Sequence, residues 1–194
     1  MGKDFTILGF AGSLRRQSYN RAALRAATQL APLGVTISTF DLAGIPGFDQ
    51  DDEVQPPAVI VEFKKRIREA DALLFVTPEY NYSISGVLKN AIDWASRPYG
   101  DNAWSGKPAA IMGASIGMFG TARAQYHLRQ IFVNINILPI NQPEIMIANA
   151  AQRFDSDGNL TDETSKKLIR ELLENLVDWT ARVGQKQSAS LVAG

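Results

Sequence analysis

Cysteine is absent from the 194-residue chain, which excludes a disulfide scaffold, an iron–sulfur cluster, a thiolate zinc site and a cysteine nucleophile. Histidine occurs once, at His127, so no multi-histidine metal centre can form and one imidazole is left for acid–base work. Neither sign of charge is in excess, because 20 Lys and Arg balance 20 Asp and Glu. With no net field to recruit a polyanion, nucleic acid is disfavoured as the main partner. No apolar run approaches the roughly 20 residues of a bilayer span, and the one near Phe5–Phe10 is too short for a signal core. A membrane is therefore not expected as a partner, and the cytoplasm is the expected location. What remains, 45% hydrophobic and 21% charged, suits one compact domain, expected over residues 1–184. The small polar segment 185–194 is expected to fray.

Along the chain, apolar stretches alternate with stretches of helical period, the pattern of repeated strand–helix units around a parallel sheet. Five strands are predicted, at Phe5–Gly9, Val35–Phe40, Ala72–Thr77, Ala109–Ala114 and near Glu144–Ile147. The third, Ala72-Leu-Leu-Phe-Val76, is apolar on both faces and calls for helices on both sides. Helices are predicted at Tyr19–Leu30, Ala58–Glu69, Val87–Ala95, Ala122–Asn134 and Asp162–Arg182, the last capped at Thr161. The third helix, with Leu88, Ile92 and Trp94, together with Tyr126 and its neighbours, has more apolar and aromatic surface than one covering layer needs, so a homodimer is expected. Asp155-Ser-Asp157-Gly158-Asn159 lacks the terminal acid of a calcium loop and is predicted to be a turn. The basic run Lys64-Lys65-Arg66-Ile67-Arg68 is predicted to be a solvated helix face.

Ligands of open parallel sheets sit beyond the carboxyl ends of the strands, which directs attention to three loops. After the first strand, Gly9-Phe-Ala-Gly12-Ser13-Leu-Arg15-Arg16-Gln-Ser18-Tyr19-Asn20 surrounds a helix start with hydroxyls, a guanidinium and an amide. Free N–H groups and the positive dipole end favour an anion there. Both the G-x-G-x-x-G fingerprint and the G-x-x-x-x-G-K-[ST] loop are missing, so a monophosphate ester fits better than a dinucleotide or a triphosphate. A plain helix cap at Ser18 is the competing reading of the same residues. After the third strand, Thr77-Pro78-Glu79-Tyr80-Asn81-Tyr82 offers flat rings and in-plane polar groups suited to a planar heterocycle; an ordinary turn at Pro78 is the alternative. After the fourth strand, Gly113-Ala-Ser115-Ile-Gly117 matches the nucleophile elbow of serine hydrolases. No acid lies between Ser115 and His127, so the Ser, acid, His order fails and the match reads as a decoy. On its helix, His127 is expected to be a packing or subunit-contact residue.

The string Gly12-Ser-Leu-Arg-Arg-Gln-Ser-Tyr-Asn20, with Pro78-Glu-Tyr-Asn-Tyr-Ser83, Gly86 and Leu88-Lys-Asn-Ala-Ile-Asp-Trp-Ala-Ser-Arg-Pro98, resembles the NADPH-dependent FMN reductases. Within them it is most like the bacterial quinone and chromate reductases, with azoreductases as near relatives. The resemblance spans nearly the whole chain, including Gly106-Lys-Pro108 and Ala122-Arg-Ala-Gln-Tyr-His-Leu-Arg-Gln130. It implies a flavodoxin-like α/β fold, a doubly wound five-stranded parallel sheet of order 2-1-3-4-5. It further implies that Ser13, Leu14, Arg15, Ser18, Tyr19 and Asn20 hold the FMN phosphate. Pro78, Glu79, Tyr80, Asn81 and Tyr82 border the isoalloxazine, and Ser115 to Gly117 approach its pyrimidine edge. On this reading no side chain is catalytic in its own right. FMN carries electrons from NADPH or NADH to quinones, and side activity on chromate, azo compounds or ferric complexes is expected. The resemblance also implies a homodimer or tetramer, with Arg123, Tyr126 and Glu144 as candidate subunit contacts. A non-catalytic flavodoxin-type carrier is the main competing reading, and the neutral charge argues against it.

Overall fold

The computed structural model describes the backbone of residues 5–192 and the side chains of residues 5–184. Strands β1 (Phe5–Ala11), β2 (Val35–Thr39), β3 (Ala72–Val76), β4 (Pro108–Ala114), β5 (Leu138–Pro139) and β6 (Ile145–Ile147) form one sheet. Its order is β2-β1-β3-β4-β5, with β6 also paired to β4, and every pairing is parallel. The helices are α1 (Tyr19–Gln29), α2 (Ala58–Glu69), α3 (Gly86–Ala95), α4 (Ala122–Ile135) and α5 (Glu163–Val192). The flavodoxin-like doubly wound arrangement is thus present.

Strand alternation assigns the core to two faces. Ile7 and Ala11 of β1 point towards α1 and α5, where Ala23, Ala27, Leu172 and Leu176 meet them. Leu8 and Phe10 point to the other face, covered by Phe63 of α2, Leu88 of α3 and Leu128 and Phe132 of α4. That face carries an aromatic cluster in which the Phe75 ring lies 4.6 Å from Phe10 and 4.7 Å from Phe132. All five residues of β3 are buried, as its two-sided apolar character requires.

Several expectations are corrected. The fifth strand is split, because Pro139 and Pro143 remove ladder donors on either side of residues 140–142; β5 and β6 pair with opposite ends of β4. The cap of α5 is Asp162, whose carboxylate accepts the Ser165 N–H at 2.8 Å, whereas the Thr161 hydroxyl donates to the Arg153 carbonyl. Leu88, Ile92 and Trp94 are all buried, the Trp94 indole donating to the Pro46 carbonyl at 2.9 Å, so α3 has no surplus apolar surface. Lys64 is buried rather than solvated, and its ammonium meets the Asp101 carboxylate and the Arg97 carbonyl. Helix α5 runs to Val192, and residues 193–194 lie outside the described residues. The segment Asp155–Asn159 is a turn as predicted, with Asp155 Oδ1 accepting the N–H groups of Asp157 and Asn159.

Candidate functional site

The chain leaves β1 through Gly12, where close neighbours favour glycine. A Cβ would sit 3.0 Å from Ser85 Oγ and 3.1 Å from both Leu88 Cβ and Pro78 Cδ. The loops after β1 and β3 are thereby pressed together, and the Ser85 hydroxyl fastens them by donating to the Gly12 carbonyl at 2.6 Å. Ser85 also caps α3, accepting the Leu88 N–H at 3.2 Å.

Beyond Gly12 the backbone runs free of internal partners. Among the described residues, no acceptor pairs with the N–H groups of Ser13, Leu14, Arg15, Arg16 or Gln17, nor with the Ser13 hydroxyl. Ser18 then caps α1, accepting from the Asn20 and Arg21 N–H groups at 3.2 and 3.4 Å, and keeps its own hydroxyl hydrogen for another acceptor. The two readings of Ser18 are therefore compatible. Arg15 leans on the Tyr19 ring, 5.6 Å from its centroid, and shares a face with these donors. Asn20 is spent differently. Its amide donates to the Ala114 carbonyl and accepts the Ala114 N–H, both at 2.9 Å, which locks the start of α1 to the end of β4.

The loop after β3 closes as a two-residue turn. Tyr80 and Ser83 exchange backbone hydrogen bonds at 3.0 Å in both directions, and Asn81 and Tyr82 adopt φ of 51° and 66°. Both central residues occupy the left-handed region without a glycine. The Asn81 and Tyr82 N–H groups are unpaired among the described residues. Glu79 faces away from the turn into the first turn of α4, where its carboxylate accepts the Arg123 and Ala124 N–H groups at 3.0 and 3.2 Å. The Thr121 side chain makes no cap bond of its own, so Glu79 takes that place and favours the positive dipole end. Arg123 adds an ion pair to Glu79 and lies over the Tyr82 ring, 3.9 Å from its centroid.

Near the end of β4, Gly113 is fixed by crowding: a Cβ would lie 2.0 Å from Thr121 Oγ1 and 2.4 Å from the Thr77 carbonyl. Ser115 holds its loop through bonds to the Ile147 carbonyl and the Ala150 N–H, both at 3.0 Å, and its hydroxyl accepts the Gly117 N–H at 3.2 Å. His127 bonds Ser83 instead, with Nδ1 2.8 Å from Ser83 Oγ, and is exposed rather than packed. The elbow-like sequence therefore has no imidazole partner.

These three loops enclose a cleft of about 490 Å³, lined by Ser13, Arg15, Ser18, Tyr19, Asn20, Pro78, Glu79, Tyr80 and Ser115 together with Ala114 and Ile116. An adjoining depression of about 250 Å³ takes in Asn81, Tyr82, Gly117, Phe119 and Arg123. Of the residues singled out in the sequence, only Leu14 has a side chain away from this wall; it lies half-exposed, and its N–H is what it can offer. Phe119 is missed by the sequence reading, whereas Ile116 falls inside the stretch Ser115 to Gly117 that the resemblance assigns to the ring edge. The available signal was three large apolar residues, Ile116, Met118 and Phe119, in a loop at the carboxyl end of a strand, and all three are exposed. Arg123, Tyr126 and Glu144 have partners within the chain: Arg123 holds Glu79, and the Tyr126 hydroxyl donates to the Glu144 carboxylate at 3.2 Å. That carboxylate raises the Tyr126 phenol above its ordinary pKa.

A parallel sheet of this order, covered by helices on both faces and with a cleft at the carboxyl ends of its strands, defines a flavodoxin-like α/β protein. The sequence profile of the NADPH-dependent FMN reductases matches residues 5–152, and the chain belongs to that family. It is 54% identical over 185 residues to an NAD(P)H-dependent FMN reductase of Pseudomonas aeruginosa, covering 94% of this chain and 99% of the relative. It is 45% identical over 168 residues to a 2-hydroxy-1,4-benzoquinone reductase of a Burkholderia species, covering 87% and 92%. Among solved structures, the flavoenzyme NAD(P)H:(acceptor) oxidoreductase FerB of Paracoccus denitrificans superposes with a TM-score of 0.84 at 36% identity, covering 92% and 98%.

Proposed function

We propose that this chain binds FMN in the cleft and uses it to pass electrons from NADPH or NADH to quinones. The observation that carries the reading is the run of unpaired N–H groups from Ser13 to Gln17, at the positive end of α1 and in the same cleft as the Tyr80–Ser83 turn. These residues fit the cofactor. A phosphate needs several converging donors and a positive end, and the loop supplies backbone N–H groups, two free hydroxyl hydrogens and Arg15. A flat ring needs a slot with in-plane donors, which Pro78, Tyr80 and the free N–H groups of Asn81, Tyr82 and Ile116 furnish. Bound FMN would supply the two-electron exchange that no side chain here can perform.

The protein's own task is then to bind, orient and stabilise charge. N–H donors after β3 and β4 favour negative charge that develops on a ring beside them, and they need no reorganisation to do so. Asn20 acts through Ala114, fixing the phosphate loop against the β4 end. Pro78 and the tyrosines set the slot's width. Because the exposed apolar rim of Ile116, Met118 and Phe119 selects for flat apolar partners, quinones are the preferred acceptors; chromate, azo compounds and ferric complexes are slower ones. A cytoplasmic location fits, since the nicotinamide donor is a cytoplasmic metabolite. No described helix is long and apolar enough to cross a membrane. We further infer a homodimer, extendable to a tetramer, supported by the same rim and by Arg123, Tyr126 and Glu144 on one surface; changing all three should lower the mass in solution.

The test is the visible spectrum. Purified protein should be yellow, bleach with NADPH and recover on adding a benzoquinone. Protein that stays colourless after incubation with excess FMN overturns the proposal.

A further inference from the structure

We propose that His127 is a positioning residue for the turn bordering the ring slot, holding Tyr80–Ser83 in place through the Ser83 hydroxyl. This rests on the reading of that turn as a wall of the flavin site. The turn is stressed from within at Tyr82, which holds positive φ without the tolerance of glycine or asparagine for that region. Two backbone bonds between Tyr80 and Ser83 close it, but they leave its direction relative to the sheet undetermined. Outside contacts decide that: Ser85, two residues beyond the turn, ties the loop to Gly12, and three further contacts come from one face of α4. Glu79, where the turn begins, is held by the Arg123 and Ala124 N–H groups. The Tyr82 ring, at its tip, lies under the Arg123 guanidinium. Ser83, where the turn ends, meets His127 Nδ1 at 2.8 Å. Residues 123 and 127 are one helical turn apart, which places both over the same stretch of loop.

His127 is thus the far fastening of a three-point clamp. Without it the turn keeps its start, its tip and the Ser85 anchor, while the Ser83 side chain is released. Ser83 can donate or accept, so the bond survives either tautomer and the ring needs no proton exchange with any ligand. The assignment explains why the chain's one imidazole stands exposed on α4 while facing a loop rather than solvent alone.

The experiment reads the turn itself first, in FMN-free protein. Amide hydrogen exchange at Ser83 and Tyr80 should rise about three- to tenfold in H127A, the scale of one net hydrogen bond. H127N, which presents an amide group near the Nδ1 position, should restore the wild-type rate. S83A should match H127A, and the double variant should be no faster than either single one. In FMN-loaded protein, H127A should raise KM for a benzoquinone by a similar factor while kcat stays within about twofold. Unchanged exchange in H127A, or effects of H127A and S83A that simply add, overturn the assignment. So does a fall in kcat in H127N, which would mark a proton-transfer role. Failure of the wild-type protein to take up FMN would instead count against the function proposed above and leaves the exchange result to stand or fall separately.

Discussion

Individual side chains at this site divide into those that face the cleft and those that hold the loops. Asn20 belongs to the second group. Removing its amide in N20A deletes two buried hydrogen bonds to Ala114 and leaves both backbone groups without partners, a loss of about 2–3 kcal/mol. Denaturant unfolding of the FMN-free protein should show it, separating a structural strut from a phosphate contact. Gly113 is the sharper case, since a methyl group at that position collides with the Thr77 carbonyl and Thr121. G113A should lower stability by about 3 kcal/mol or more, and thermal unfolding should show a loss that shortening Thr121 does not fully recover, because the backbone oxygen remains.

At the scale of elements, each helix near the site is fastened by a residue from another loop. Ser85 caps α3 and ties it to Gly12; S85A should cost about 1–2 kcal/mol and weaken FMN retention together with stability. The loop after α3 is anchored by Lys64 of α2, whose buried ammonium meets Asp101. The hydrogen bond from Lys64 holds the Asp101 carboxyl below its ordinary value, with further help from the charges of Lys64 and Arg68 and against some desolvation. A carboxyl lowered in the folded state stabilises the fold above its unfolded pKa of roughly 3.9, and that contribution fades as pH falls through the folded value. Unfolding followed from pH 6 downwards should therefore show a steeper acid limb in the wild type than in D101N. At neutral pH, D101N should lose about 1–2 kcal/mol, the lower range for a broken pair because Asp101 is half-exposed.

The molecule as a whole carries no net formal charge, so long-range steering of an anionic donor is weak and any attraction is local to Arg15 and Arg16. For a neutral quinone, kcat/KM should change by less than about twofold between low and physiological ionic strength. For NADPH it should fall more, because those arginines are screened. Steady-state rates at two salt concentrations check both. Five of the exposed apolar residues, Tyr80, Tyr82, Ile116, Met118 and Phe119, belong to the loops after β3 and β4 at the carboxyl end of the sheet. This is where a substrate or a second copy of the chain would remove them from water.

The sequence by itself determined, through its strand–helix alternation, a parallel sheet covered by helices, and the strand order came only from the resemblance to a known family. It also determined the cap at Ser18 and the three loops that form the cleft. Those features are local: period, turn chemistry and cap residues act within a few positions of one another. What the tertiary structure alone decided is how side chains in those loops are spent. Asn20 reaches Ala114, Glu79 becomes the cap of α4, Ser83 meets His127 and Lys64 turns inward to Asp101. Each pair joins residues far apart in the chain, brought together only when the helices pack on the sheet. The type of a residue fixes what bonds it can make, whereas packing fixes which partner is within reach.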